Sequence, residues 1–168
     1  CRDSANPVGR LVLYLGRCHD ERNAALADSI CPGLQLANFW QDVARDYERE
    51  RIYLPRETCH SFGIEERDFA NRAATRAFRR MLAAECDRAE ESLRQGAPLI
   101  DSASREISLD VALFVRGGLA VVAAIRGLDY DVWRRRPTVG RWSKLKIFFD
   151  AWRQTRAKSK MSSTEAAP

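Results

Sequence analysis

The sequence predicts an all-α protein. Its apolar residues recur at spacings of three and four, as on one face of a helix, rather than at the alternate positions of a half-buried strand. The Val, Ile and Thr runs bounded by Asn-Gly or Asp-Gly that mark hairpins are absent from it. Of its 168 residues, 45% are hydrophobic and 30% are charged, which excludes an intrinsically disordered chain. We therefore expect a globular bundle of helices.

Five helices are predicted, each from a stretch of helical periodicity. They cover residues 4–16, 24–50, 65–95, 104–128 and 142–157. Gly16 ends the first helix. Pro32 and Gly33 are expected to kink or split the second, because proline lacks an amide donor and clashes with the preceding turn. Residues 52–55 are predicted to be extended, since the residue before a proline avoids the helical region.

The third and fourth helices have recognisable ends. The third stops at Gly96, and the fourth begins near a cap at Ser104. The fourth contains residues 107–128, the longest apolar segment of the chain, in which three charges interrupt the run of about 18 apolar residues that a membrane span needs. These charges are Asp110, Arg116 and Arg126. We therefore expect it to be a buried core helix.

The fifth helix is basic and amphipathic. Its large apolar residues recur at helical spacing: Trp142, Leu145, Phe149 and Trp152. Either they pack on the protein body, or they contact the inner face of the cytoplasmic membrane. Residues 134–160 hold six Arg and four Lys against one Asp, so the net charge of +5 is concentrated there. No recognition motif for nucleic acid accompanies this charge, and residues 158–168 are predicted to be a disordered tail.

The cysteines indicate a cytoplasmic protein. The chain has five, an odd number, at least 13 residues apart and without a CxxC pair. Widely spaced cysteines of this kind are typical of free thiols in a reducing compartment rather than of a zinc site or a disulfide framework.

A line of polar residues runs along the second helix. At about 100° per residue their side chains share an arc of about 80°. They are Gln35, Asn38, Asp42, Asp46 and Arg49. Such a stripe either faces solvent or binds a cation. The two aspartates repel each other when both are ionised, and Asn38 extends them to three oxygen donors. Because Mg²⁺ is typically held by one or two carboxylates plus substrate phosphates, the pattern favours a diphosphate-Mg²⁺ site.

The segment LQLANFWQDVARD, followed by RIYLP, resembles the second aspartate-rich motif of the squalene/phytoene synthase family. The opening CRDSANPVGR is similar to the helix that lines the prenyl cavity in that family. The resemblance implies an all-α isoprenoid-synthase fold, of which residues 1–157 are the C-terminal part of one domain. The family's first aspartate-rich motif is then expected upstream of this chain, and the isolated chain is expected to be inactive.

The resemblance also implies an activity. The variants at Ser4 and Asn6 are most similar to the branch that converts presqualene diphosphate to hydroxysqualene in hopanoid biosynthesis, beside companion enzymes of that pathway. Mg²⁺ is the implied cofactor, with Asn38, Asp42 and Asp46 as ligands. The implied catalytic residues are Asp42, Asp46, Asn6 and Ser4. The residues implied to bind the prenyl diphosphate are Gln35, Arg45, Arg51, Tyr53 and Gly9.

Several of these residues have a second interpretation. Ser4 and Asn6 either position the water of hydroxylation, or Ser4 caps the first helix and Asn6 lies in a break before Pro7. Arg45 either contacts phosphate or forms a surface ion pair with Glu48 or Asp42.

Tyr53 and Gly9 also have both a functional and a packing interpretation. Tyr53 either faces the cavity or packs beside Pro55, and Gly9 admits either the prenyl chain or a neighbouring helix. Wall residues are expected at Val8, Val12 and 111–122. Where relatives commonly have Gly at the end of the motif, this chain has Glu50.

Two rival functions remain at this point. A squalene or phytoene synthase would condense two prenyl diphosphates head to head. A non-catalytic helical module would instead bind membranes through residues 134–160, since a basic amphipathic helix with tryptophans suits a lipid surface.

Overall fold

The all-α prediction is confirmed. The computed structural model describes the backbone of residues 4–165 and the side chains of residues 4–156. Within those residues the chain forms eight helices and no strand. The helices are α1 (Asn6–Leu15), α2 (Glu21–Tyr47), α3 (Arg56–Ser61), α4 (Glu66–Ala70), α5 (Arg76–Gly96), α6 (Leu99–Ser102), α7 (Arg105–Gly127) and α8 (Arg141–Glu165).

Helix α2 is the centre of the fold, with α1, α5 and α7 packed around it. The Asp20 side chain caps its start by accepting a hydrogen bond of 2.7 Å from the Asn23 amide. Helix α5 runs antiparallel to α2. Near one end of the pair, the Trp40 indole donates to the Glu85 carbonyl at 3.2 Å. Near the other, Gly33 lies against Leu93. Two apolar clusters, one at each end, form the core.

Pro32 does not split α2, which was one of the two outcomes predicted for it. The helix is continuous from Glu21 to Tyr47 with Pro32 inside it. Tight packing beside the proline accounts for this. A Cβ atom on Gly33 would lie 2.8 Å from Leu93 Cγ and 3.1 Å from the Ala89 carbonyl oxygen, so glycine lets α2 press directly on α5. This contact offsets the one backbone hydrogen bond that a proline removes.

The predicted helix over residues 65–95 is wrong in its first part. The chain forms the short helix α4, turns at residues 71–75, and starts α5 at Arg76. Thr75 caps α5 by accepting from the Phe78 amide at 3.2 Å, and Arg72 has a left-handed φ of 47°. The apolar spacing continues across this turn, which is why periodicity alone missed it. The short helices α3 and α6 were also not predicted, whereas residues 52–55 lie between helices as expected.

Helices α7 and α8 pack against each other. By length and composition α7 is the one helix in the described part of the chain that would suffice to cross a membrane. It packs against α2, α5 and α8, as the core-helix prediction expected. Helix α8 continues to Glu165, beyond the predicted end at 157 and into the segment predicted as a disordered tail. No Gly or Pro stands between residues 141 and 165 to stop it, and residues 166–168 lie outside the described part.

Candidate functional site

The predicted polar stripe lies on α2 at the surface of the chain. Asn38 is exposed, and Asp42 and Asp46 are half-buried. Because all three are on one continuous helix, four residues apart, their side chains emerge on the same face at successive turns. Arg49 was predicted to continue this stripe but lies beyond the last helical residue, Tyr47.

A Schellman motif ends α2 directly after the polar stripe. The Arg51 amide donates to the Asp46 carbonyl at 2.9 Å, and the Glu50 amide donates to the Tyr47 carbonyl at 3.0 Å. This geometry places Glu50 in the left-handed region, with a φ of 58°. Glycine is the residue that adopts this conformation without strain, which fits the Gly that the family resemblance implies at this point.

Replacing Glu50 by Gly is therefore expected to stabilise the protein. Relief of the left-handed backbone should raise the free energy of unfolding by about 1 kcal/mol, measured by denaturant titration. Glu48→Gly is the comparison, because Glu48 has an ordinary helical φ of −62°; it is expected to lose stability, since it also gives up a 3.1 Å ion pair with Arg72. An equal or smaller gain for Glu50→Gly than for Glu48→Gly would contradict the strain argument.

Asp42 is held by an arginine that the sequence did not reveal. Arg136, in the loop between α7 and α8, donates from Nε to Asp42 Oδ1 at 2.7 Å and from Nη2 to Asp42 Oδ2 at 2.9 Å. Its Nη2 also donates to Gln41 Oε1 at 2.9 Å. Gln41 in turn donates from Nε2 to the Pro137 carbonyl at 2.7 Å. These contacts join α2 to a loop more than 90 residues further along the chain.

The arginine keeps Asp42 ionised. The hydrogen bonds from Arg136 lower the pKa of the Asp42 carboxyl below its ordinary value, against the opposing effect of partial burial. The same contact raises the pKa of Arg136. Asp42 is therefore present as a carboxylate, the form that coordinates a metal ion.

The donor set on α2 fits part of a Mg²⁺ site. No three His, Cys, Asp or Glu residues come together among the described side chains in a group that could hold a metal unaided. Asp42, Asp46 and Asn38 instead offer two carboxylates and one amide oxygen. Mg²⁺ is commonly held by such a partial set and completed by water and substrate phosphates, so the chemistry of these residues fits the ion.

The start of α1 lies beside the stripe. Gln35 Nε2 donates to Ser4 Oγ at 3.2 Å, which joins the predicted catalytic serine to the helix turn before Asn38. The residue at the cap position of α1 is Ala5 rather than Ser4, so the interpretation of Ser4 as a cap is wrong. Asn6 is the first residue of α1, not part of a break. Its Oδ1 atom is buried and has no hydrogen-bond partner among the described residues.

An apolar cavity of about 200 Å³ opens between α1, α2, α6 and α7. Its lining residues are Val8, Gly9, Val12, Leu13, Ala27, Ile30, Cys31, Leu34, Leu99, Val111 and Phe114. It includes the predicted wall residues Val8, Val12 and Val111. On α2, Cys31 and Leu34 precede Asn38 on the same side of the helix. The cavity therefore adjoins the N-terminal end of the polar stripe.

The remaining predicted residues have ordinary structural contacts. A Cβ atom on Gly9 would lie 2.5 Å from Cys31 Sγ, which is close helix packing at the edge of the cavity. The Tyr53 ring stacks on Phe39, with centroids 4.0 Å apart, and is not part of the lining of the apolar cavity.

The two arginines predicted to bind phosphate are both exposed. Arg45 lies 3.7 Å from Asp42, as the surface-pair alternative expected. Arg51 lies near Asp46 and Tyr53 around a small surface depression. Neither has a buried partner that would fix it for a single ligand geometry.

Several known proteins are similar to this chain. The family model for squalene/phytoene synthase matches residues 1–143. Hydroxysqualene synthase of Rhodopseudomonas palustris is 34% identical over 102 residues, which are 59% of this chain and 34% of that protein. The 15-cis-phytoene synthase of Synechococcus elongatus is 32% identical over 111 residues, 66% of this chain and 36% of that protein. The crystal structure of squalene synthase HpnC from Alicyclobacillus acidocaldarius has a TM-score of 0.74 at 42% identity, over 77% of this chain and 49% of that one.

The helical fold is that of an isoprenoid synthase. The chain belongs to the squalene/phytoene synthase family. It spans between about a third and a half of the length of the relatives described above.

Proposed function

We propose that the polypeptide containing this chain is a Mg²⁺-dependent enzyme that converts presqualene diphosphate to hydroxysqualene and pyrophosphate in hopanoid biosynthesis. One observation carries the proposal: a stripe of metal-ligand oxygens and an apolar cavity adjoin along one face of α2. A prenyl diphosphate has the same division into a charged head and an apolar tail. The identity of 34% to a hydroxysqualene synthase supports the choice of reaction.

In this mechanism the residues of α2 bind the head of the substrate. Asn38, Asp42 and Asp46 would hold Mg²⁺, which when bound supplies the positive charge that stabilises the departing pyrophosphate. Gln35 is placed to orient the diphosphate or the adjacent Ser4. The apolar wall of the cavity, including Val8 and Val12, keeps bulk water away from the carbocation that ionisation leaves behind.

Hydroxylation requires that one water reach that carbocation. We propose that Ser4 and Asn6 bind it, because Asn6 Oδ1 is a buried acceptor without a partner among the described residues. The water oxygen forms the new C–O bond, and its proton leaves with the pyrophosphate. Overall, presqualene diphosphate and water give hydroxysqualene and pyrophosphate.

Product analysis tests both parts of this proposal. The full polypeptide that contains this chain is incubated with presqualene diphosphate and Mg²⁺, and the products are identified by mass spectrometry. Hydroxysqualene is the expected product, and Asn6→Gly is expected to lower its share of the products because the water loses a hydrogen-bond partner. Asn71→Gly makes the same substitution at an exposed residue at the end of α4, outside the cavity lining, and should leave the share unchanged. An unchanged share in Asn6→Gly would refute the role of Asn6.

Head-to-head condensation of two prenyl diphosphates is the second candidate. The phytoene synthase relative supports it, because its identity of 32% is close to the 34% of the hydroxysqualene synthase. Turnover of two prenyl diphosphates to squalene or phytoene, with no hydroxylated product, would establish it. In either case we propose that this chain alone is inactive, because one carboxylate stripe supplies only part of a Mg²⁺ site.

The exposed face of α8 suggests where the enzyme works. Ala151 is buried in the core, while five large apolar side chains of the same helix are solvent-exposed. These are Trp142, Leu145, Phe148, Phe149 and Trp152. With the basic residues around them, they support cytoplasmic placement at the inner face of the membrane, where a lipid substrate and companion pathway enzymes would be found. Liposome binding without any turnover by the full polypeptide would instead favour the non-catalytic membrane module.

A further inference from the structure

The contact between Arg136 and Asp42 is built into the fold rather than formed by a mobile surface side chain. The loop that carries Arg136 is anchored on both sides, because Val132 and Pro137 are fully buried. Gln41, itself buried on α2, binds the Pro137 carbonyl and Arg136 together. The backbone of Arg136 is therefore fixed, and its planar guanidinium meets both oxygens of Asp42 in the bidentate geometry that arginine favours.

The two carboxylates of the stripe differ in the positive charges beside them. Asp42 has Arg136 on both of its oxygens and Arg45 at 3.7 Å. Asp46 has no ion pair within 4 Å among the described side chains. One of the two expected metal ligands, Asp42, therefore already has arginine side chains where a metal ion is expected to bind.

Arg136 and a metal ion compete for Asp42. Mg²⁺ requires direct contact with ligand oxygens in near-octahedral geometry at about 2.1 Å. In the structure the oxygens of Asp42 are directed at a guanidinium, and a divalent ion close to that group is repelled by its charge. Each oxygen of Asp42 keeps a second lone pair, so Mg²⁺ can reach the carboxylate, but it then shares the negative charge of Asp42 with Arg136 and is repelled by the guanidinium.

We propose that Arg136 acts as a removable counter-ion for Asp42, which keeps the Mg²⁺ affinity of the protein low until a diphosphate arrives. The incoming diphosphate gives the displaced guanidinium a new anionic partner and gives Mg²⁺ the phosphate oxygens that complete its coordination. Arg136 is thus a positioning residue that couples metal binding to substrate binding. The inference rests on the proposed Mg²⁺ site of the preceding section.

Metal binding in the absence of any phosphate tests this coupling. The full polypeptide is titrated with Mg²⁺ alone by calorimetry, and with Mn²⁺ alone by electron paramagnetic resonance. Arg136→Gln is expected to bind either ion about tenfold more tightly than the wild type, because Asp42 loses a competing charge-assisted pair. Arg136→Lys, which keeps the charge but not the fork, should fall between them. Arg135→Gln removes the same charge from an exposed neighbour and should change the affinity little.

A second titration separates this inference from the proposed function. The same proteins are titrated with pyrophosphate at saturating Mg²⁺, and the wild type is expected to bind the complex. If the wild type binds neither Mg²⁺ with pyrophosphate nor Mg²⁺ alone, the proposed metal site is wrong. If it binds the complex, and Arg136→Gln and Arg136→Lys bind Mg²⁺ alone no more tightly than Arg135→Gln, the competition is wrong while the metal site remains. Thermal unfolding shows whether each variant is folded. If Arg136→Gln is unfolded, the Mg²⁺ affinity of Arg136→Lys, compared with that of Arg135→Gln, tests the competition.

Discussion

Replacing Asp42 by Asn in the full polypeptide is expected to lower the turnover of a prenyl diphosphate by about 100-fold or more. The substitution keeps the size of the side chain but removes one of two carboxylates from the stripe, so the positive charge that stabilises the departing pyrophosphate is less firmly held. It also leaves Arg136 without its anionic partner. Steady-state rates and Mg²⁺ titrations measure the two consequences separately.

The matched control for this prediction is Asp110→Asn. Asp110 is exposed on α7 and takes part in no ion pair among the described residues, so its replacement removes the same charge away from the stripe. Asp110→Asn is expected to retain wild-type turnover. A rate for Asp42→Asn within threefold of that control would show that Asp42 is a surface residue and not a metal ligand.

Replacing Trp40 by Ala is expected to have the largest effect on stability. Trp40 is 1% exposed at the contact between α2 and α5, and its indole donates to the Glu85 carbonyl. Removing a buried aromatic ring leaves a cavity and costs about 3–5 kcal/mol of unfolding free energy. Denaturant titration of the full polypeptide, followed by circular dichroism, measures this loss.

Trp142 provides the comparison for Trp40. It lies on α8 and is 85% exposed, so Trp142→Ala is expected to change the stability by about 0.5 kcal/mol or less. If the two variants lost equal amounts of unfolding free energy, the packing of Trp40 would not be what stabilises α2, the helix that carries the candidate site.

The local parts of the site were predictable from the sequence. Asn38, Asp42 and Asp46 could be placed on one face of a helix because the period of a helix fixes the relative directions of its side chains. The wall residues Val8 and Val12 followed from the family resemblance of the opening segment, and both line the cavity in the structure.

The partner of Asp42 was not predictable. Arg136 is 94 residues away, and its contact depends on how the loop after α7 folds back onto α2. The only local signal was a run of three arginines before Pro137, which is equally typical of a solvated loop. The local chemistry of proline likewise predicted a break at Pro32, because the packing of Gly33 on α5 that supports the continuous helix is a tertiary contact.

Release of inorganic pyrophosphate is the measurement that tests the central claim most directly, namely that the polar stripe and the cavity of α2 form one Mg²⁺-dependent prenyl diphosphate site. The full polypeptide is given presqualene diphosphate with a chelator and then with increasing Mg²⁺. We expect no release with the chelator, release that rises with Mg²⁺, and almost none from the Asp42→Asn/Asp46→Asn double variant at any Mg²⁺ concentration. Release that persists in the chelator, or that is unchanged in the double variant, would contradict the claim.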